Sequence, residues 1–151
     1  MKILFVCTGN TCRSCMAEAI FNKLNTLEDV SASSAGFSIV KGSKTSKNSA
    51  LLVKENLDCD ISKREAVQLT KEMLEGADLV LTMTAYMRDI ILGRFPNIKN
   101  KVYTLKQYVG VKGDVADPYG GDVSAYQKTF DSLKNLIDAL LHKIEEDKGI
   151  I

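Results

Sequence analysis

Residues 1–15 read MKILFVCTGNTCRSC, an apolar run followed by a short loop that holds three cysteines, a glycine and an arginine. Ile3–Val6 is rich in β-branched and aromatic side chains and stops at the loop, a pattern that predicts a strand buried on both faces. From Ser14, which we predict as the N-cap, apolar residues return at three- and four-residue spacing and predict a helix. This strand, loop and helix form the first of the alternating strand and helix pairs.

The remaining sequence alternates predicted strands with predicted helices. Strands are predicted at Val30–Ala35, Asp78–Met83 and Lys101–Leu105, and helices at Lys47–Leu57, Thr70–Leu74, after a Thr84 cap, and after an Asp122 cap. Such alternation favours right-handed crossovers and a four-stranded parallel sheet with helices on both faces, a three-layer α/β/α architecture. Ligands bind such sheets at the carboxyl ends of the strands, which is where the first loop emerges.

Length and composition indicate one domain covering residues 1–151, with 45% hydrophobic and 26% charged residues. The apolar start MKILFV is too short for a signal peptide and no run is long enough to span a membrane, so we expect a cytoplasmic protein. Twenty basic and nineteen acidic residues are interspersed and give a net charge of +1. This balance argues against nucleic-acid or membrane partners, and any bound anion must be held locally.

The first loop has the features of an anion-binding cradle. Gly9 and Asn10 tolerate the backbone angles of a tight curl, and the following helix N-terminus adds partial positive charge. Arg13 supplies a forked, permanently charged donor for two phosphate oxygens. Cys7 sits at the strand end, at the base of this cradle, where such surroundings favour the reactive thiolate form. The single histidine, His142, lies far away on the last helix and is expected to be a surface residue.

The motif C-x5-R-S, read here as Cys7 to Ser14, resembles the low-molecular-weight protein tyrosine phosphatase family. The resemblance covers nearly the whole chain and includes Ser34-Ala35-Gly36 and Asp117-Pro118-Tyr119. It implies a flavodoxin-like fold, a phosphorylated protein as substrate, inorganic phosphate as product, and no metal or cofactor. It also implies that Cys7 is the nucleophile, that Arg13 binds the phosphoryl group, and that Asp117 is the general acid.

The family resemblance assigns further roles to residues of the loop. The phosphoryl group would be held by the loop backbone and the arginine, that is by Thr8, Gly9, Asn10, Thr11, Cys12, Arg13 and Ser14. The Ser14 hydroxyl would also donate to the Cys7 sulfur. Asn10 and Ser34 would hold the loop in its shape. These residues lie in one enzyme chain, which we expect to act as a monomer.

Two positions bear on which phosphorylated side chain is the substrate. Tyrosine-specific members usually carry a bulky aliphatic residue where this chain has Thr11, and two aromatics after Asp-Pro. Here Tyr119 is followed by two glycines. In both respects the chain resembles the bacterial protein-arginine phosphatase branch, whose loop reads C-T-G-N-T-C-R-S and whose acid loop carries an aromatic residue and then two glycines. Thr11 would also open space and place a hydroxyl near a polar guanidinium or the attacking water. Phosphoarginine is therefore the expected substrate, and phosphotyrosine is the alternative.

The sequence departs from the family pattern at two places. Cys15 stands where Pro is common, and Arg64 stands in a segment where a His is common. The loss of that His leaves open how the pair Asn10 and Ser34 is supported. The segment Val40–Ser49, rich in lysine and serine, is expected to form a second wall of the cleft.

Three other functions fit parts of the pattern. Cys7, Cys12 and Cys15 with Cys59 match a plant-type ferredoxin spacing, but an iron–sulfur cluster leaves the arginine and the Asp-Pro unexplained. An arsenate reductase of this fold has two more cysteines close together, whereas Cys59 is alone. A phosphocysteine carrier lacks the arginine and aspartate pair.

Cys12 suggests redox regulation, because it shares the loop with a reactive Cys7. A reversible disulfide between these two cysteines would protect the nucleophile from over-oxidation by peroxide.

Overall fold

The computed structural model describes residues 1–149, and its centre is a four-stranded sheet. The strands are β1 (Lys2–Cys7), β2 (Ser31–Gly36), β3 (Leu79–Thr82) and β4 (Val102–Thr104). All pairs are parallel, and the strand order is β2-β1-β3-β4. The predicted α/β/α architecture with a parallel sheet is therefore confirmed. Cys7 is the last residue of β1, one of the two central strands, so the loop that follows it opens at the carboxyl edge of the sheet.

Helices connect the strands. They are α1 (Arg13–Leu24), α2 (Lys47–Leu57), α3 (Lys71–Gly76), α4 (Ala85–Arg94), α5 (Leu105–Tyr108) and α6 (Val123–Asp147), with a 3-10 turn at Pro96–Ile98. The bounds of α2 agree with the sequence prediction, and α3 extends two residues beyond it. The four-residue helix α5 and the 3-10 turn were not predicted, because neither is long enough to show helical periodicity.

Most of the helices begin at side-chain caps. Thr70, Thr84 and Asp122 each accept a hydrogen bond from a backbone N–H in the first turn of their helix. The caps at Thr84 and Asp122 were predicted, whereas Thr70 was predicted as the first residue of its helix. The prediction of Ser14 as the N-cap of α1 is wrong. The helix begins one residue earlier, no side chain caps it, and the Ser14 hydroxyl lies against the sulfur of Cys7 instead.

Two apolar layers enclose the sheet. On one face, Phe5 packs against α1 and α6, and the apolar stripe of α6 lies almost wholly in this layer. On the other face, Leu4 and Val6 pack against Leu74 of α3 and Ile91 of α4. Because both faces of β1 are buried, the strand holds the start of the loop rigidly in place. Within residues 1–149 no helix is both long and apolar enough to cross a membrane.

Candidate active site

A cavity of about 390 Å³ opens at the carboxyl end of β1. Eight of its lining residues were singled out from the sequence: Cys7, Thr8, Gly9, Thr11, Cys12, Arg13, Asp117 and Tyr119. Ser38, Val40 and Ser43 complete the wall, so the predicted second wall is formed by the first part of the segment 40–49 together with Ser38. The structure thus brings the loop and the distant Asp-Pro turn to one concavity.

The sulfur of Cys7 lies at the buried base of this cavity. It accepts a hydrogen bond from the backbone N–H of Asn10 at 3.2 Å, and the Ser14 hydroxyl oxygen is 2.7 Å away. Asn10 reaches the sulfur because its backbone is in the left-handed region, with φ of 57°. The first turn of α1 contains no acidic residue and no side-chain cap, so nothing there offsets the positive end of the helix dipole. These groups stabilise negative charge on the sulfur.

Arg13 and Asp117 face each other across the cavity. The Arg13 guanidinium is 5% exposed, and its Nη1 donates to the carbonyl of Val115 at 3.1 Å. This bond fixes the fork, and Nη2 lies 3.6 Å from Oδ2 of Asp117. The Asp117 side chain is 52% exposed, and its Oδ1 accepts from the backbone N–H of Tyr119 at 3.0 Å. A buried cation for an oxyanion and an accessible carboxyl group for proton transfer are therefore adjacent.

Asn10 and Ser34 lie behind the loop rather than in the cavity wall. The side-chain amide of Asn10 donates to the Ser14 hydroxyl at 2.7 Å and to the Ser34 hydroxyl at 3.0 Å. Its oxygen accepts from Nη1 of Arg64 at 2.9 Å. The question left open by the missing His is thus answered by Arg64, which supports this pair directly. Glu18, which contacts Arg64 at 3.4 Å, was not found by sequence reasoning.

The rim of the cavity carries one aromatic side chain, which is followed in the sequence by two glycines. Tyr119 is 80% exposed at the mouth. Gly120 has φ of +79°, which disfavours any larger residue there. A Cβ on Gly121 would lie 2.8 Å from the Cβ of Ala125 and 2.9 Å from the carbonyl oxygen of Pro118. The turn therefore presents one aromatic ring, and its backbone disfavours a second at either following position.

The other thiols have distinct surroundings. Cys12 is buried, with its sulfur 3.6 Å from the hydroxyl of Tyr126; burial, followed by this contact, raises the pKa of Tyr126 to about 12. Cys15 donates to the carbonyl of Cys12 at 3.1 Å, and burial raises the pKa of its thiol. Cys59 is exposed beyond α2. In the described part of the chain, no three His, Cys, Asp or Glu side chains gather as a metal site would require.

His142 is exposed on α6, where its Nε2 lies 3.2 Å from Oε1 of Glu146. It is far along the chain from every residue that lines the cavity. Its surroundings agree with the surface position expected from the sequence.

Comparison with known proteins places this geometry among phosphatases. The chain is 43% identical over 148 residues to a protein-arginine-phosphatase of Geobacillus stearothermophilus, covering 97% of this chain and 98% of that protein. It is 37% identical over 145 residues to the low molecular weight protein-tyrosine-phosphatase PtpB of Staphylococcus epidermidis, covering 96% and 100%.

Solved structures and a family model agree with these relatives. A structure of the arginine phosphatase YwlE, a serine-for-cysteine mutant with a phosphorylated active-site serine, superposes with a TM-score of 0.91 at 38% identity and full coverage of both chains. The model of the low molecular weight phosphotyrosine protein phosphatase family matches residues 2–149. This chain therefore belongs to the low molecular weight phosphotyrosine protein phosphatase family, whose members are protein phosphatases.

Proposed function

We propose that this phosphatase acts on phosphorylated arginine side chains of proteins through a phosphocysteine intermediate on Cys7. The observation that carries the choice of substrate is Thr11 in the cavity wall, at the position where a bulky aliphatic residue would pack against a phenyl ring. The similarity to protein-arginine-phosphatases over nearly the full chain supports the same choice.

In the first step the Cys7 sulfur attacks phosphorus, and the bond from phosphorus to the departing nitrogen breaks. Asp117 gives its proton to that nitrogen, so the arginine side chain departs as its stable guanidinium cation. Arg13 and the N–H groups of the loop hold the equatorial oxygens, where charge must be stabilised in phosphoryl transfer. Arg13 is suited to this because its bond to Val115 fixes the guanidinium with Nη2 toward Asp117, on the cavity side.

In the second step water attacks the phosphocysteine and the sulfur–phosphorus bond breaks. Asp117, now a carboxylate, takes the proton of the water, and the electron pair of the broken bond returns to sulfur. The Ser14 hydroxyl, 2.7 Å from the sulfur, stabilises the charge that forms there. Inorganic phosphate is released, and these residues account for each proton and charge in the two steps.

Thr11 favours a guanidinium for two physical reasons. It is smaller than a branched apolar residue, and its hydroxyl gives the wall a polar group that can hydrogen-bond an N–H of the substrate. Once it has given up its proton, the Asp117 carboxylate also complements the positive charge of the departing guanidinium. A phenyl ring would gain little from either feature.

Phosphotyrosine is the second candidate, and the mouth of the cavity favours it. Val40 is 75% exposed and Tyr119 is 80% exposed, and both line the cavity. Two exposed apolar side chains at one opening can pack against an aromatic substrate ring.

Initial rates on matched phosphoarginine and phosphotyrosine peptides test the proposal in the parent enzyme, Thr11→Ile and Thr11→Val. The parent should prefer phosphoarginine. Thr11→Ile should lower kcat/KM for phosphoarginine about tenfold to a hundredfold and raise it for phosphotyrosine, because the added bulk narrows the pocket and supplies apolar contact. Thr11→Val keeps the shape of the side chain and removes the hydroxyl, so it separates the effect of losing the polar group from the effect of narrowing the pocket. A parent enzyme that prefers phosphotyrosine would contradict the proposal.

We further propose that residues 1–151 work as a single domain and as a monomer in the cytoplasm, on protein substrates rather than nucleic acid or membrane. One chain supplies Cys7, Arg13 and Asp117 to one cavity, which supports a site that is complete without a second subunit. The near-zero net charge supports a protein substrate over nucleic acid or a membrane surface as the partner.

A further inference from the structure

A buried polar network lies behind the Cys7 loop, and its centre is the side-chain amide of Asn10, which is fully buried. The amide oxygen accepts from Nη1 of Arg64 and from the backbone N–H of Val67, both at 2.9 Å. Because two groups that only donate meet at this atom, it must be the oxygen, and the orientation of the amide is fixed. The nitrogen is then obliged to donate to the hydroxyls of Ser14 and Ser34.

The fixed amide determines where the hydroxyl protons point. The Ser34 oxygen receives hydrogen bonds from Asn10 and from Nη2 of Arg64 at 2.7 Å, and its own proton goes to Oε1 of Glu18 at 3.0 Å. The Ser14 oxygen receives a hydrogen bond from Asn10, so its proton is free to go to the sulfur of Cys7, 2.7 Å away. Arg64 has no acceptor atom, so it can only donate to Asn10 and Ser34, and the directions of these hydrogen bonds cannot be reversed.

We propose that Arg64, held by Glu18, is a positioning residue that orients the Ser14 hydroxyl as a donor to the Cys7 sulfur. The inference rests on the proposed function, because it requires Cys7 to be the nucleophile. A donated O–H stabilises the charged sulfur before attack, and it stabilises the same charge again when the phosphocysteine breaks. Arg64 therefore acts on the reaction through Asn10 and Ser14, without touching substrate.

The position of Arg64 agrees with such a role. It is not among the residues that line the cavity, and its side chain is 18% exposed. Its Nε lies 3.4 Å from Oε2 of Glu18, whose side chain is 22% exposed. The carboxylate fixes the guanidinium so that Nη1 and Nη2 point at Asn10 and Ser34. This fork is a geometry that the single ammonium of lysine does not reproduce.

Steady-state kinetics of Arg64→Met and Arg64→Lys test the role. Arg64→Met should lower kcat about tenfold or more, because the charged Cys7 sulfur would lose the oriented hydrogen bond from Ser14, and a hydrogen bond to a charged group contributes about that much. The KM should stay within about twofold, because no contact with substrate is removed. Arg64→Lys keeps the charge without the fork and should lower kcat to a smaller extent. Arg88→Met is the matched control, since Arg88 is a partly exposed arginine bound to Gln107 away from the cavity, and its kcat should equal that of the parent.

A double-mutant cycle with Ser14→Ala separates positioning from a general structural effect. Once Ser14→Ala has removed the hydroxyl, Arg64→Met should lower kcat by less than about twofold further if it acts through Ser14. Equal losses with and without Ser14→Ala, or an unchanged kcat in Arg64→Met, would overturn the inference. Should Arg64→Met fail to fold, the cycle is run with Arg64→Lys. Cys7→Ser is measured in parallel: retained turnover there would overturn the proposed mechanism itself, a result distinct from equal losses in the cycle.

Discussion

Replacing Asp117 with asparagine should slow catalysis and strengthen anion binding at the same time. In the proposed mechanism Asp117 is the general acid that protonates the departing nitrogen or oxygen, and loss of such a group costs about a hundredfold to ten-thousandfold in rate. The loss should fall mainly on leaving groups of high pKa, such as the guanidine of phosphoarginine. A nitrophenolate leaves without a proton, so its release should slow far less. Asparagine keeps the side-chain oxygen that accepts from Tyr119, so the turn should keep its shape.

The gain in anion binding follows from the position of the carboxylate. Oδ2 of Asp117 lies 3.6 Å from the same Arg13 nitrogen that would bind an oxyanion, so the two negative charges would be roughly 5 to 6 Å apart. Their repulsion is about 0.7 kcal/mol in water and about 3 kcal/mol at the lower effective dielectric constant near a protein surface. Since the Asp117 side chain is half exposed, solvent screening favours a value near 1 kcal/mol. Asp117→Asn should therefore bind vanadate or phosphate about fivefold more tightly.

The assay combines two measurements on the purified enzyme. Single-turnover rates are compared for a phosphoarginine peptide and for p-nitrophenyl phosphate, and vanadate affinity is measured by protection of Cys7 from alkylation. Asp114→Asn is the matched control, because Asp114 is a nearby loop aspartate whose oxygen accepts from Ala85 and which does not line the cavity. It should change neither measurement.

Two outcomes would refute this reasoning. Equal slowing of good and poor leaving groups would show that Asp117 does not transfer the proton. Vanadate affinity that stays the same or weakens in Asp117→Asn would show that the carboxylate does not oppose the bound anion.

Two further predictions concern oxidation and pH. Peroxide should inactivate the parent reversibly and Cys12→Ser irreversibly, because only the parent can form the Cys7–Cys12 disulfide; equal recovery of both with added thiol would discard that disulfide. The hydrogen bond from Lys148 holds the pKa of Asp29 below its usual value. A lowered carboxyl pKa contributes stability above its unfolded value that is lost as the pH falls through the folded value. Urea unfolding should therefore find Asp29→Asn less stable than the parent at neutral pH, with the difference disappearing in strong acid; a difference independent of pH would contradict this assignment.

Two of the strands were predictable because burial on both faces requires a run of apolar residues, which can be recognised in the sequence. β1 and β3 are apolar runs, and a strand buried on both faces cannot avoid this composition. The fourth strand was predicted to run to Leu105, but it ends at Thr104, which instead forms a capping box with Gln107 and starts α5. A helix of four residues is decided by such caps and by packing, and not by periodicity.

The residues of the candidate site likewise fall into those that the local sequence reveals and those whose role depends on tertiary packing. Cys7 and Arg13 lie in one contiguous loop, and Asp117 is marked by the following proline, so the groups that face the cavity could be found in the sequence. Glu18 belongs to no recognisable pattern, and Arg64, which lies 46 residues away, stood out only as a departure from the family pattern. Their role depends on where the segment after α2 packs against α1, which is a tertiary fact. The error at Ser14 has the same origin, because a helix-start serine was given a local role when its hydroxyl is used by the sulfur.

The buried amide of Asn10 also ties chemistry to the assembly of the whole chain. Its partners Ser34 and Arg64 lie 24 and 54 residues further on, so the strained turn is held only after distant segments have docked. An isolated peptide carrying the cysteine and arginine should be inert, because nothing would keep its amides aimed at the sulfur. Turnover is for this reason a sensitive reporter of complete folding: a species with its sheet formed but the segment around Arg64 undocked would retain helical circular dichroism while hydrolysing nothing.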